Sequence, residues 1–471
     1  MKDLELDQAQ YLKMTQTPIP RLITSLAVPT IISMLITAIY NTADTYFVAV
    51  LNDTSATGAV GVVFSLMALM QATSFAIGMG SGSWISRLLG QHEHEQANEV
   101  GSTGLVMALV FGTLLLLYGA FCETAPLMRL LGATETIAPY AEAYAKFILC
   151  GAPLMMGSFV LNNMLRSEGK AKFSAVGIAA GGVLNVLLDP VFILPWGLNL
   201  KVAGAALATA VSQAVSFFIL LVPYLRGRTE VKLHPRYIAR SVIRYVTILK
   251  NGLPSFARQG LSSISSILLN TGAAAAAGIF ADQAIAAMSI VTKVTMMVFS
   301  IVIGIGQGYQ PVLGYNYGAK RFDRAREAML FMIKACTLAM LVFSAICFVI
   351  APQLISVFGS AKSDPDVLRF GTFAFRAQCV SLPLVPLGVA SNMTFQSTGQ
   401  AARATFLSSC RQGIFLVPLL LALPYTVGIT GVMIAQPIAD ALTFLVCIPF
   451  IRRFAGELKA AEEAQLQTAE A

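Results

Sequence analysis

The stretch RSEGKA at residues 166–171 returns 230 positions later as QSTGQA at residues 396–401. Each copy separates two long apolar segments. GMGSG at residues 78–82 likewise matches GIGQG at residues 304–308, at an offset of 226. Because the offset stays nearly constant between such widely spaced landmarks, the chain is predicted to consist of two related halves.

Apolar residues dominate both halves. Hydrophobic residues make up 56% of the 471 positions and charged residues only 12%. Soluble proteins carry about 25% charged residues, so this composition excludes a soluble enzyme. It also excludes a disordered chain, which combines high charge with few apolar residues. The composition is that of a polytopic membrane protein.

Twelve apolar stretches are long enough to cross a bilayer, which takes about 20 residues. They lie at about 22–50, 57–86, 99–121, 137–165, 173–193, 202–225, 245–272, 283–310, 328–352, 366–393, 403–425 and 428–451. The predicted fold is all-α, with twelve transmembrane helices in two six-helix lobes. Six crossings is an even number, so both halves start on the same face and the repeat is parallel. We predict a first lobe at 1–228, a cytoplasmic linker at 229–250 and a second lobe at 251–471.

Lysines and arginines orient these spans. If the amino terminus is cytoplasmic, 22 of them fall on that side, against four on the other: Arg129, Lys201, Lys362 and Arg369. The positive-inside rule then predicts a multi-pass protein of the cell membrane with both termini cytoplasmic. The net charge of +8 does not indicate nucleic-acid binding, because the basic residues lie between apolar runs. The polar start of the chain is unlike a cleaved signal peptide.

Two acids lie deep in predicted spans of the first half, Asp44 in the first span and Asp189 in the fifth. Asn41 and Asn185 precede them by three and four residues, so each amide shares a helix face with its acid. Intramembrane charges are costly, and such residues are functional candidates by default. The structural alternative is that each aspartate braces a helix kink, with Pro190 supplying one break.

Folding the chain at turns near residues 168 and 198 brings two hydroxyl groups close to the depth of Asp189, those of Tyr144 and Thr209. Burial and a second carboxylate both favour the protonated form of an acid. Carboxylate, amide and hydroxyl oxygens also coordinate small cations. The first lobe is therefore predicted to contain a cation-coupling site for a proton or a sodium ion.

The second half differs at the matching positions, where Asn270 and Val417 replace the two acids. Its deep charges include Arg258 and Lys293, which either bind charge in a central cleft, or snorkel or pair with Asp440. The glycine clusters are not phosphate loops, since no Gly-Lys-Ser/Thr follows them, and they indicate flexible or closely packed helix ends. The seven scattered cysteines are expected to be free and buried, and HEHE at residues 92–95 lacks the HExxH spacing of a metal site.

These features together resemble the multidrug and toxic compound extrusion (MATE) family, nearest its MepA-like and DinF-like branches. The resemblance rests on Asp44-Thr45, on Asn185 to Pro190, and on residues 27–29, 165–169, 202–209 and 304–318. It implies a twelve-helix antiporter, not an enzyme, that exports small organic, often cationic, compounds in exchange for protons or sodium. No cofactor is implied, and the expected partners are those substrates and the lipid bilayer around a monomer.

Carried over by position, the resemblance implies that Asp44 and Asp189 couple transport to the cation. Their supporting residues are Asn185 and Thr209, with Asn41 and Tyr144 nearby, and the cavity for the substrate includes Asn162, Ser262 and Arg258. One branch of the family couples through acids in the second lobe, where this chain offers Ser262 and Arg258 and has no acid between Phe370 and Gln396. Proton coupling in the first lobe is therefore favoured.

Two other functions make different demands on the sequence. A flippase for a lipid-linked precursor is the alternative within transport, since the wider superfamily includes such proteins. An intramembrane enzyme would need a cluster such as DDxxD or HExxH within the membrane, and the sequence has neither.

Overall fold

The computed structural model describes residues 2–50, 54–357 and 364–470, and every regular element in these ranges is helical, as predicted. The α-helices are α1 (Lys2–Gln16), α2 (Ile19–Ala49), α3 (Thr54–Gly90), α4 (His94–Phe121), α5 (Ala125–Leu130), α6 (Ala138–Ser167), α7 (Ala171–Ile193), α8 (Lys201–Leu225), α9 (Val242–Ala277), α10 (Ala281–Gly318), α11 (Phe322–Val349), α12 (Ala351–Ser356), α13 (Pro365–Ser381), α14 (Val385–Ser397), α15 (Ala401–Ser409), α16 (Leu416–Thr426) and α17 (Ile429–Glu470). Short 3-10 turns lie at Pro235–Tyr237, Gly278–Phe280 and Leu382–Leu384, and a π-helical segment at Cys410–Phe415.

Eleven of the helical segments in the described ranges are long and apolar enough to cross a membrane. Helices α13 and α14 form one such segment, and so do α15 and α16 with the π-helical segment between them. The remaining predicted span, at about 245–272, corresponds to α9, which is 36 residues long. Gln259 and a group of serines interrupt its apolar sequence, which lowers its hydropathy without shortening the helix. The fold is that of an all-helical polytopic membrane protein.

The two halves of the chain have the same helix order, with α9 and α10 of the second lobe in the places of α2 and α3 of the first. Helix α2 packs on α10, and α3 packs on α9, so the first two spans of each lobe form the contact between the lobes. At the crossing of α3 and α10, a Cβ atom on Gly90 would overlap the Tyr315 carbonyl oxygen, and one on Gly318 would overlap that of Arg87. Gly90 and Gly318 are 228 positions apart, and so are Arg87 and Tyr315. The internal repeat therefore relates the two close approaches at the contact between the lobes.

Both chain termini lie at one end of the helix bundle, which we call the terminal face. Helix α1 contacts the end of α10 there, where Asn316 Nδ2 donates a hydrogen bond to the Met14 carbonyl oxygen at 3.1 Å. At the other end of the chain, Arg326 and Glu462 form an ion pair of 3.6 Å between α11 and α17. The loops after α3, α6, α8 and α10 therefore share one face, as the parallel repeat predicts.

Two details differ from the sequence predictions. The glycine-rich stretches 78–82 and 304–308 lie inside α3 and α10 rather than at helix ends. A Cβ atom at these glycines would overlap atoms of the neighbouring helices, so glycine allows the helices to pack closely. The seven cysteines are all free, and five are buried, but Cys122 and Cys150 are exposed. Both exposed residues lie on helices or at helix ends whose outer surface is apolar.

Candidate functional site

A polar cluster lies inside the first lobe, between α7 and α8. Asp189 is fully buried, with 0% of its surface exposed, and Asn185 and Thr209 are also buried. Asn185 Nδ2 donates to Asp189 Oδ1 at 3.4 Å and to Thr209 Oγ1 at 3.3 Å. The structure therefore brings together three of the predicted coupling residues, with the amide of Asn185 between an acid and a hydroxyl group.

Helix geometry and small residues explain how this cluster forms. Asn185 and Asp189 are one turn apart on α7, so they share a face. The short connection at residues 194–200 turns the chain back into α8, and a Cβ atom on Gly204 would overlap the Phe192 carbonyl oxygen. Ser216 Oγ on α8 donates to the Gly177 carbonyl oxygen at 3.0 Å further along the same seam. Close packing of α7 on α8 thus carries Thr209 to the level of Asn185.

The other predicted first-lobe residues are placed less completely. Helix α2 contains Asn41 and Asp44, but their side chains lie outside the described part of the chain. Helices α2 and α7 both start at the terminal face, and Gly182 on α7 packs against Tyr40 on α2. Since Asp44 follows Tyr40 by one turn, its backbone lies at the depth of the turn between Asn185 and Asp189.

Tyr144 and Asn162 both lie on α6. Tyr144 is buried inside the first lobe. Asn162 is also buried and accepts a hydrogen bond from Ser174 Oγ on α7, which fixes it between two helices of the first lobe.

In the second lobe, Arg258 and Ser262 lie one turn apart on α9 and are partly exposed. Neither side chain forms a hydrogen bond or ion pair with another residue in the described part of the chain. Asn270, at the repeat position of Asp44, is exposed on the same helix. Arg258 and Ser262 stay predicted cavity residues.

Asp440 on α17 is a buried acid of the second lobe, and Arg411 pairs with it through Nε and Oδ1 at 2.6 Å. Gln436 Nε2 donates to the same oxygen at 2.9 Å, while Gln378 Nε2 and Ser381 Oγ donate to Oδ2 at 2.8 and 3.0 Å. Arg411 belongs to the π-helical segment, which directs its side chain at Asp440. The sequence allowed the deep charges of the second lobe either to bind charge in a cleft or to pair with Asp440. Arg411 is paired with Asp440.

The lobes are joined near the terminal face by polar contacts that the sequence did not predict. Arg166 on α6 donates a hydrogen bond to Gln307 on α10. Arg87 on α3 donates to the Ser397 carbonyl oxygen at 3.0 Å, at the end of α14. Arg166 begins the repeat stretch RSEGKA, and Gln396, the residue before Ser397, begins QSTGQA. The sequence therefore marked these positions as repeated but did not indicate that they join the lobes. These contacts close the cleft between the lobes at the terminal face.

Helix α1 covers this closed end and touches both lobes. Gln10 Nε2 donates to the Glu168 carbonyl oxygen at 2.8 Å in the first lobe. The ring of Tyr11 lies 4.3 Å from that of His92 in the first lobe and 5.9 Å from that of Tyr315 in the second. The polar sequence of α1 gave no prediction of a helix, although Tyr11 and Met14 are spaced to share one face of it.

Below α1, the Glu168 carboxylate anchors the segment that links the two lobes. It accepts hydrogen bonds from the Tyr224 hydroxyl at 2.9 Å and from the backbone N–H groups of Glu230 and Val231 at 2.8 and 3.2 Å. Burial raises the pKa of Glu168 to about 7, although these hydrogen bonds and Lys170 act in the opposite direction. The linker is therefore fixed to the first lobe by a group that titrates near neutral pH.

Comparison with known proteins identifies relatives over almost the whole chain. The family model MatE matches twice, at residues 29–191 and 259–421, and the two matches are 230 residues apart, like RSEGKA and QSTGQA. The multidrug export protein MepA of Staphylococcus saprophyticus is 29% identical over 423 residues, which cover 89% of this chain and 90% of the relative. MepA of Staphylococcus aureus strain MSSA476 is 26% identical over 445 residues, or 94% and 95% of the two chains.

Solved structures of similar fold and sequence also cover nearly the whole chain. A crystal structure of MATE in complex with MaL6 superposes with a TM-score of 0.88 at 27% identity and covers 96% of this chain and 99% of its own. An outward-facing conformation of a multidrug resistance MATE family transporter of the MOP superfamily gives 0.88 at 27% identity, covering 95% and 98%. A MOP superfamily transporter from Pyrococcus furiosus, described as having a binding pocket of reverse polarity, gives 0.86 at 28%, covering 95% and 98%.

Proposed function

This chain belongs to the MatE family of multidrug efflux transporters, and on that premise we propose that it exports organic, often cationic, compounds in exchange for protons. The observation that carries the proposal is the buried cluster of Asp189, Asn185 and Thr209 in the first lobe. The second lobe has Val417 at the position of Asp189, so the acid is not a general feature of the repeat.

A proton can drive such a transporter only if its two conformations bind the proton with different affinities. In our proposal, Asp189 is the group whose proton affinity differs between the two conformations. Protonation removes a buried negative charge and weakens the acceptor of the Asn185 hydrogen bond, so it alters the packing of α7 against α8. The ionised form restores the negative site that attracts a cationic substrate.

The position of Asp189 suits proton exchange with the side of the membrane opposite the terminal face. The residue follows the start of α7 by 18 positions, which corresponds to about 27 Å from the terminal face at 1.5 Å per residue. The polar and glycine contacts close the cleft at the terminal face, so the cluster is nearer the opposite side. With the terminal face cytoplasmic, as the distribution of lysine and arginine predicts, protons would reach Asp189 from outside the cell.

Sodium is the second candidate ion, and one observation favours it. Asn185 Oδ1 is buried without a hydrogen-bond partner among the described residues. Oxygen atoms of amides, hydroxyls and carboxylates are the ligands that hard cations prefer. The cluster therefore offers suitable donors for sodium as well as a carboxylate for a proton.

The test is extrusion of a cationic dye such as ethidium by inverted membrane vesicles under an imposed pH gradient. Asp189→Asn keeps the size of the side chain and one acceptor oxygen for Asn185 but removes its titration, and we expect extrusion to fall at least tenfold. Asp323→Asn, at a half-exposed position at the start of α11, is the control and should extrude at the wild-type rate. Wild-type rates in Asp189→Asn at normal expression would overturn the proposal.

A flippase predicts a different phenotype. Cells that lack a lipid-linked precursor flippase fail to build envelope polymers, whereas cells that lack a drug exporter become hypersensitive to its substrates. Deletion of the gene followed by growth with and without ethidium separates the two functions.

A further inference from the structure

A groove opens between α7 and α8 near the terminal face. It has a volume of about 200 Å³ and lies against Phe173 and Val176 of α7 and Val222 and Pro223 of α8. Val176 is 60% exposed on the outer surface of the lobe. In a membrane protein, this apolar surface faces lipid, so the groove is open to the bilayer.

Two arginines, Arg226 and Arg228, line the same groove directly after the end of α8. Gly227 lies between them with a φ of +62°, and the Arg228 N–H donates to the Pro223 carbonyl oxygen at 2.9 Å. This is the hydrogen bond of a Schellman motif, which favours glycine at the left-handed position. The turn therefore fixes the backbone of both arginines beside the groove.

Neither arginine forms an ion pair or a side-chain hydrogen bond with any residue in the described ranges, and both are exposed. Nearby acids do not neutralise them. Glu230 is buried and pairs with Lys170 at 3.2 Å, and Glu168 is held by Tyr224 and the linker backbone. Two positive charges thus remain uncompensated at one end of an apolar groove.

We propose that this groove binds an anionic phospholipid, with the phosphate at Arg226 and Arg228 and an acyl chain between α7 and α8. Arginine presents donors that match phosphate oxygens, and basic pockets between transmembrane helices are suited to acidic head groups. An apolar wall that spans about one turn of each helix, next to paired charges, complements a molecule that is anionic at one end and apolar beside it. A soluble anion would use only the arginines.

The experiment measures lipid retained by the purified full-length protein in native mass spectra, after titration with phosphatidylglycerol or phosphatidylcholine. The double variant R226Q/R228Q should bind phosphatidylglycerol about thirtyfold more weakly, since each basic residue near the membrane surface contributes about fivefold in affinity and the two contributions multiply. R452Q/R453Q removes the same charge from exposed positions of α17 and should bind it like the wild type. Equal binding by wild type and R226Q/R228Q, or an equal loss in the control, would overturn the proposal.

A second variant tests the apolar part of the groove. Val222→Trp fills the space from an exposed position and should weaken phosphatidylglycerol binding while leaving both arginines in place. Glycerophosphoglycerol, which has the head group without acyl chains, should bind much more weakly than the lipid to the wild type. If it binds as tightly, the site recognises a soluble anion and the lipid proposal is wrong.

Discussion

Replacing Arg411 with methionine is expected to destabilise the protein by about 3 kcal/mol, because it leaves a buried carboxylate without its counter-charge. Asp440 has 0% side-chain exposure, and its ion pair with Arg411 measures 2.6 Å. Breaking a buried ion pair typically costs about 3–5 kcal/mol. We expect the lower end, since three neutral donors from Gln436, Gln378 and Ser381 remain on the carboxylate.

Asp440→Asn should cost less, about 1–2 kcal/mol, because Arg411 keeps 17% side-chain exposure and lies 4.5 Å from the centre of the Phe299 ring. In the double variant R411M/D440N no charge is buried, and the oxygen of the new amide can still accept from the neutral donors on one side. We therefore expect the double variant to be more stable than R411M alone. Such a reversal is the sign of strong coupling in a double-mutant cycle.

The assay is thermal unfolding of the four proteins in detergent at one fixed scan rate, because membrane proteins commonly unfold irreversibly. The expected order of unfolding midpoints places R411M lowest and the double variant above it. An R411M midpoint equal to that of the wild type, or additive losses in the double variant, would refute a structural role for the pair.

Two further predictions concern the terminal face. Because burial raises the pKa of Glu168 from 4.5 to about 7, the folded chain keeps a proton that the unfolded chain releases, so stability should fall by about 3 kcal/mol as the pH rises through that range. Glu168→Gln should flatten this fall in the unfolding midpoint, and an unchanged pH profile would contradict it. Gly90→Ala should force the lobes apart where a Cβ overlaps a carbonyl oxygen of the second lobe. Spin labels at Lys172 and Arg453 of a cysteine-free chain should then report a longer distance than in a Gly61→Ala control, which has open space at its Cβ, and equal distances would count against it.

The polar cluster could be predicted from the sequence because local geometry determines most of it. The spacing of Asn185 and Asp189 fixes their shared face in any α-helix. The short turn after α7 then limits which residue of α8 lies at the same depth, and Thr209 is that residue. Hydrophobic length likewise predicted most of the spans, since a bilayer requires a minimum number of apolar residues.

Contacts between distant parts of the chain could not be predicted in the same way. Arg166 and Gln307 are 141 residues apart, and neither residue carries a local pattern that selects the other. The π-helical turn that directs Arg411 at Asp440 depends on packing between helices of the second lobe. The sequence there shows no pattern that would distinguish a π-helical turn from an ordinary α-helix. Helix α1 was missed because its polar composition resembles a tail, while its stability comes from docking on both lobes.

The central claim is that proton movement through Asp189 is coupled to substrate movement. The most direct measurement uses proteoliposomes with a trapped pH-sensitive dye, in which an imposed gradient of ethidium is the only driving force. We predict that wild-type protein moves protons in the direction opposite to the ethidium flow without added sodium, and that Asp189→Asn moves none. Proton movement by Asp189→Asn at the wild-type rate, or wild-type counter-transport that occurs only with sodium, would contradict the claim.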